Sequence, residues 1–151
     1  MEKAGGGGII RDHEGNMLAA FATSLEAHSA LEAELMAIHH GLTLALDFGR
    51  PIWVESDAAQ AVKLLNGSSR GPAHTSRILA RIAIQKSQQI TRTTFIHREG
   101  NKAADLLAKM GLESPESFRM NTSTAPRLLK AIVRLEAMGV PNIRVQTEDE
   151  D

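Results

Sequence analysis

A chain of 151 residues, 42% of them hydrophobic, has the material for one packed domain and a tail. The absence of cysteine excludes disulfides, thiolate zinc sites and cysteine nucleophiles. The net charge of −1 argues against nucleic acid when taken whole, but its distribution argues differently. Residues 1–69 carry 4 basic and 9 acidic side chains, net −5. Residues 70–109 carry 8 basic side chains against only Glu99 and Asp105, net +6, and residues 110–151 are net −2. A basic segment beside acids suits a site that grips phosphate and holds metal, although a solvated helix face would read the same way.

In chain order, Gly5–Gly8 lead into Ile9-Ile10-Arg11-Asp12, and His13-Glu14-Gly15-Asn16 form a turn before a second strand over Met17–Thr23. Two apolar runs around a Gly/Asn turn predict an antiparallel hairpin. The glycines are no P-loop, since no Gly-Lys-Ser/Thr follows; they suit a flexible entry to a strand whose backbone packs closely. Ser29-Ala30-Leu31-Glu32 is a capping box, and Leu31, Leu35, Ile38, Leu42 and Ala45 trace one helical face to about Phe48. Glu34 falls on the border of that face, His40 opposite it and exposed. Ile52–Ser56 reads as a strand, Ala58–Leu65 as a short helix, Ser68–His74 as a loop. Ile78–Gln88 reads as a helix with Ile78, Ile82, Leu79 and Ala83 inward, and Thr91–His97 as a strand. Asn101 caps a last helix to Met110, closed by Gly111. The composition changes near Leu112: residues 112–125 read as linker, Pro126–Met138 as an amphipathic helix, Asn142–Gln146 as a short strand, and Thr147–Asp151 as an acidic end. The order of elements predicts an α/β layered domain.

Three acids stand out: Glu34 on the first helix, Asp57 after a strand, and Asp105 near the start of a helix. Carboxylates are the hard oxygen ligands that Mg²⁺ prefers, and acids gathered at element ends hold the paired metals of phosphodiester cleavage. Each also has a plain explanation: Glu34 as a half-buried helix-edge acid, Asp57 as a helix N-cap, Asp105 as an acid favoured by the helix dipole. Arg98, Asn101 and Lys102 flank Asp105, where they can touch phosphate or sugar without reading base sequence. With one Trp, four Phe and no Tyr, stacking platforms for single strands are scarce. A duplex read by shape and 2′-OH groups fits better.

Four segments in order resemble the ribonuclease H type 1 superfamily, in particular its plant retroelement-derived, reverse-transcriptase-associated branch. They are Gly6-Gly7-Gly8-Ile9-Ile10-Arg11-Asp12 with Glu14-Gly15-Asn16; Glu32-Ala33-Glu34-Leu35-Met36-Ala37; Trp53-Val54-Glu55-Ser56-Asp57; and His97-Arg98-Glu99-Gly100-Asn101-Lys102-Ala103-Ala104-Asp105. The resemblance covers about residues 5–111. It implies an α/β fold with a mixed sheet and helices on both faces, here N-terminally truncated and followed by a C-terminal helical tail. The expected divisions are a ribonuclease H-like domain over 1–111, a linker over 112–125, and a helix with an acidic tail over 126–151. It also implies Glu34, Asp57 and Asp105 as catalytic metal ligands for Mg²⁺ or Mn²⁺, His97 as the loop histidine, and an RNA–DNA hybrid as partner.

Family members open on a strand that bears a fourth acid, and only Met1–Ala4 precede Gly5 here. The reading is therefore a nucleic-acid-binding domain of hybrid-ribonuclease descent with weakened or no hydrolysis. The alternatives are an active Mg²⁺-dependent endoribonuclease or a protein-interaction module. A missing central strand also leaves the Ile52–Ser56 strand with an open edge. Dimerisation with strand donation, or insertion of Asn142–Gln146, is the expected remedy. No membrane span or secretory signal is present, so the expected location is intracellular, nuclear or cytoplasmic.

Overall fold

The structure, a computed structural model, describes residues 1–11, 16–48, 52–67, 71–87, 90–95, 102–114, 117–136 and 142–147. It forms the expected mixed α/β sandwich. The strands are β1 (Glu2–Arg11), β2 (Met17–Ala27), β3 (Ile52–Ser56), β4 (Ile90–Phe95), β5 (Phe118–Met120) and β6 (Asn142–Thr147). The helices are α1 (Ala30–Ala45), α2 (Ala59–Leu65), α3 (Ser76–Lys86), α4 (Lys102–Glu113) and α5 (Arg127–Glu136). The six strands lie in the order β4-β3-β6-β1-β2-β5. β1 runs antiparallel to both β2 and β6, and β3 runs parallel to both β4 and β6. No helix among the described residues is long and apolar enough to cross a membrane.

The slot beside β1 that sequence leaves open is filled by the tail. β6 pairs with β1 from Ala4↔Thr147 to Ile9↔Asn142, and meets β3 at Glu55↔Asn142 and Ser56↔Ile143. The last described segment thus becomes a central strand. The segment read as linker holds β5, which extends the sheet beyond β2.

Alternation along β1 and β2 divides the core between two faces. Ala4, Ile10, Ala19 and Val54 pack with α1, α2 and α3 on one face; Ile9, Ala20 and Ala22 pack with α4 and α5 on the other. Helix α1 behaves as its periodicity predicts. Ser29 caps it, its Oγ accepting from the Glu32 amide at 3.1 Å, and Leu35, Ile38, Leu42 and Ala45 are buried. The Glu32 carboxylate reaches back to the His28 amide at 3.2 Å, one residue outside the usual capping box.

The glycine run lies inside β1 instead of ahead of it. A Cβ on Gly5 or Gly7 would strike the α4 backbone near Ala108, so the helix can lie directly on the strand only because those side chains are missing. Gly111 does not end α4, which continues to Glu113. It faces the main chain of Thr23 and Gly6, where a Cβ would collide with carbonyl oxygens. Close approach, not helix termination, explains this glycine.

Two other expectations on helix faces change. Ala83 of α3 is exposed, and Gln85 is buried in its place, its amide bonding the His39 ring at 2.9 Å and Thr43 Oγ1 at 3.0 Å. His40 is not exposed: its ring stacks on Phe21 at a centroid distance of 4.6 Å. Burial first, and then the charge of His39, hold the His40 ring below the ordinary histidine range. A base depressed in the folded state is protonated first in the unfolded chain. Its stabilising contribution is therefore present above the ordinary value of about 6.5 and lost as pH falls through it. His40→Phe, which keeps an aromatic ring against Phe21 without a titrating group, is expected to flatten the fall of the melting temperature between about pH 6.5 and 5. Melting curves across that window check it; an unchanged slope would assign the acid sensitivity elsewhere.

Candidate functional site

The Glu34 side chain is carried by the second turn of α1, on the border of its apolar stripe, and is only 3% exposed. Its Oε1 accepts a hydrogen bond from Ser56 Oγ at 3.0 Å. Ser56, the last residue of β3, in turn accepts from the Ala58 amide at 3.1 Å. One hydroxyl therefore joins α1 to the turn that follows β3, and Asp57 lies within that turn. This is the carboxyl end of a strand, where open α/β sheets place their sites. Asp57 is half-buried. It does not cap α2: the N-cap is Ala58, with no side-chain cap hydrogen bond. The plain explanation of Asp57 as a helix cap is thus replaced by a place in the turn beside Glu34's partner.

Asp105 sits in the first turn of α4, on the other face of the sheet from α1. Its Oδ2 lies 3.4 Å from Lys109 Nζ in an i,i+4 pair open to solvent. Such exposed pairs stabilise by about 0.5 kcal/mol. Lys102 is exposed at the start of α4. His97, Arg98 and Asn101 lie outside the described residues.

The resemblance implies that Glu34, Asp57 and Asp105 hold Mg²⁺ or Mn²⁺. Among the described residues, no group of three or more His, Cys, Asp or Glu side chains is placed to hold a metal ion. One Glu34 oxygen already accepts from Ser56, and Asp105 is engaged by Lys109. The fold buries two carboxyl groups near the end of β3: Glu55, on the strand, is 1% exposed and Glu34, on α1, 3%. Taking carboxylates out of water is costly unless they are paired or hydrogen-bonded.

Sequence reasoning gave Ser56 no role. The signal was available, a small hydroxyl one residue before an acid at a strand end, but only the fold shows that it reaches across to α1. A second polar cluster, around the start of α1, was also unforeseen. His28 Nδ1 lies 3.2 Å from Glu32 Oε1, and Ser29 Oγ lies 2.9 Å from His74 Nε2. Burial pushes the Glu32 carboxyl up, but the hydrogen bonds from the His28 amide and ring, with the charges of His28 and His74, outweigh it and hold the group below its usual range. This cluster fastens the segment before α3 to the start of α1.

Comparison with known proteins agrees with this architecture. The reverse transcriptase-like family profile matches residues 1–111. A protein of Arabidopsis thaliana, to which a ribonuclease H role is ascribed by name, is 26% identical over 140 residues, covering 90% of this chain and 22% of its own. The chain therefore spans about a fifth of that relative's length. Among solved structures, RNase H1 of the halophilic archaeon Halobacterium salinarum superposes with a TM-score of 0.66 at 23% identity, over 74% of this chain and 86% of its own. LC11-RNase H1, solved in complex with an RNA/DNA hybrid, superposes with a TM-score of 0.63 at 23% identity, over 74% of this chain and 94% of its own. At this identity the likeness is one of fold.

Proposed function

Because the chain belongs to the reverse transcriptase-like family and is a ribonuclease H-like domain, we propose that it binds RNA–DNA hybrid duplexes and hydrolyses them weakly or not at all. The observation that carries this reading is the Ser56–Glu34 hydrogen bond, which joins α1 to the end of β3 and sets two of the three acids on adjoining elements. The basic segment over residues 70–109 supplies the charge to hold phosphates. Its contacts position a duplex without reading base sequence. Lys102, Arg98 and Asn101 are the proposed backbone contacts, and His97 the proposed loop histidine.

Reduced turnover follows from the donor set. Mg²⁺-dependent hydrolysis needs carboxylates that converge on the metals. The strand lying between β1 and β3 reads Asn-Ile-Arg-Val-Gln-Thr and brings no acid. The family match and the Arabidopsis relative support a plant, retroelement-derived origin as part of the same proposal. An intracellular location, nuclear or cytoplasmic, completes it.

Anisotropy of a labelled hybrid tests the binding. The expected result is association at low salt that weakens steeply as salt rises. No association at low salt would overturn the reading. The same duplex, incubated with Mg²⁺ and resolved on a gel, is expected to stay essentially intact. Efficient cleavage that Asp57→Asn abolishes would show an active ribonuclease instead.

A further inference from the structure

Between Asp57 and Glu99 the chain has no acid: residues 58–98 carry seven Lys or Arg side chains and not one Asp or Glu. Two of those cations, Arg77 and Arg81, stand four residues apart on α3, and both are exposed. Like charges at this spacing repel by about 0.2–0.5 kcal/mol on an isolated helix, and α3 has no acid to offset them. Neither arginine makes a hydrogen bond or ion pair among the described residues. Lys86, the third cation of α3, is committed to the Leu65 carbonyl of α2. The arginine pair is thus an uncompensated charge in an acid-free stretch.

Helix α3 is fastened at both ends. His74, just before it, meets Ser29 at the start of α1, and Gln85 near its end bonds His39 and Thr43 further along α1. The two helices therefore lie side by side and run the same way, the first half of α3 beside the half of α1 that bears Glu34. Ile78 and Ile82 pack α3 onto that face of the sheet, whereas Lys102 starts α4 on the opposite face. Ser76 and Ala80, exposed beside the arginines, are small and leave room for a rigid backbone. We propose that Arg77 and Arg81 form a second phosphate track of the hybrid-binding surface, on the sheet face opposite Lys102. A guanidinium matches phosphate geometry with two parallel donors. Two of them about 6 Å apart along the helix axis grip phosphates of one strand and read no base. The repulsion within the free helix is relieved when phosphates bind. This deepens the hybrid-binding reading and rests on it.

The test measures association of the full chain with a labelled RNA–DNA hybrid across a salt series. The slope of log affinity against log salt reports the phosphates engaged. Arg77→Gln/Arg81→Gln is expected to make that slope shallower by about 2, and each single change by about 1. Arg77→Lys/Arg81→Lys keeps both charges and is expected to keep the slope. Both double variants are expected to melt within about 2 °C of the wild type, since exposed substitutions cost little. Arg127→Gln on α5, equally exposed and with the same change of charge as either single variant, is expected to leave the slope in place. A wild-type slope in the double Gln variant, or an equal drop with Arg127→Gln, would overturn the proposal. So would a loss of hybrid binding on Ile84→Ala as large as that from the arginines: Ile84 is 65% exposed on the same helix, and that loss would mark an apolar partner face. Should the double Gln variant fail to fold, the two single changes decide by the same criterion. A wild type that binds no hybrid at low salt overturns the functional reading and this one together. Wild-type binding with an unchanged slope in the Gln variants overturns this one alone.

Discussion

Deletion of residues 140–151 is expected to abolish cooperative unfolding and to leave a chain that associates. β6 pairs with β1 at six positions and reaches β3 at two. Residues 4–11 of β1 are all buried, with α1 and α4 on either face. Removing β6 therefore strands main-chain donors and acceptors that water reaches poorly. Each buried group left unsatisfied costs about 1–3 kcal/mol. Several such losses match the whole stability of a domain, about 5–15 kcal/mol. The deletion also opens two strand edges at once, and open edges pair with other chains. Gel filtration with far-UV circular dichroism checks the result. A synthetic strand spanning residues 140–151, added in trans, is expected to restore a melting transition. A deleted chain that stays monomeric with its melting temperature unchanged would show that β6 is dispensable.

Gly7→Ala is expected to lower stability by about 1–3 kcal/mol, or roughly 2–10 °C in melting temperature for a chain of this size. Its new methyl group would sit 2.5 Å from the Ala108 nitrogen and from the Leu107 backbone. A helix main chain cannot turn aside as a flexible side chain can, so α4 must lift from β1. The displacement would disturb Asp105, which sits in the first turn of α4. Gly67→Ala provides a contrast: nothing lies within 4 Å, and the cost there comes from its φ of +72°. Chemical denaturation of the two variants separates them. The Gly7 change should also weaken hybrid binding, whereas the Gly67 change should not. Equal losses of stability and unchanged binding in both would remove the case for close α4–β1 packing.

The reach of sequence and of structure can be told apart residue by residue. The α1 stripe from Leu35 to Ala45, the Ser29 cap, the β1–β2 hairpin and the β3 strand were all legible along the chain. Each is set by neighbours a few residues apart, so periodicity and capping chemistry record it. The family motifs likewise singled out Glu34, Asp57 and Asp105 as candidates. Tertiary structure alone decided which edge received the tail: Ile9 meets Asn142 because an open slot beside β1 matches a strand more than a hundred residues away. It also decided that Gly111 stays within α4, that His40 stacks on Phe21, and that Ser56 holds Glu34. Those contacts join residues remote in sequence, and a one-residue change of register would move each strand side chain to the opposite face. Local spacing carries no information about that register; packing of two helices against both faces of the completed sheet does.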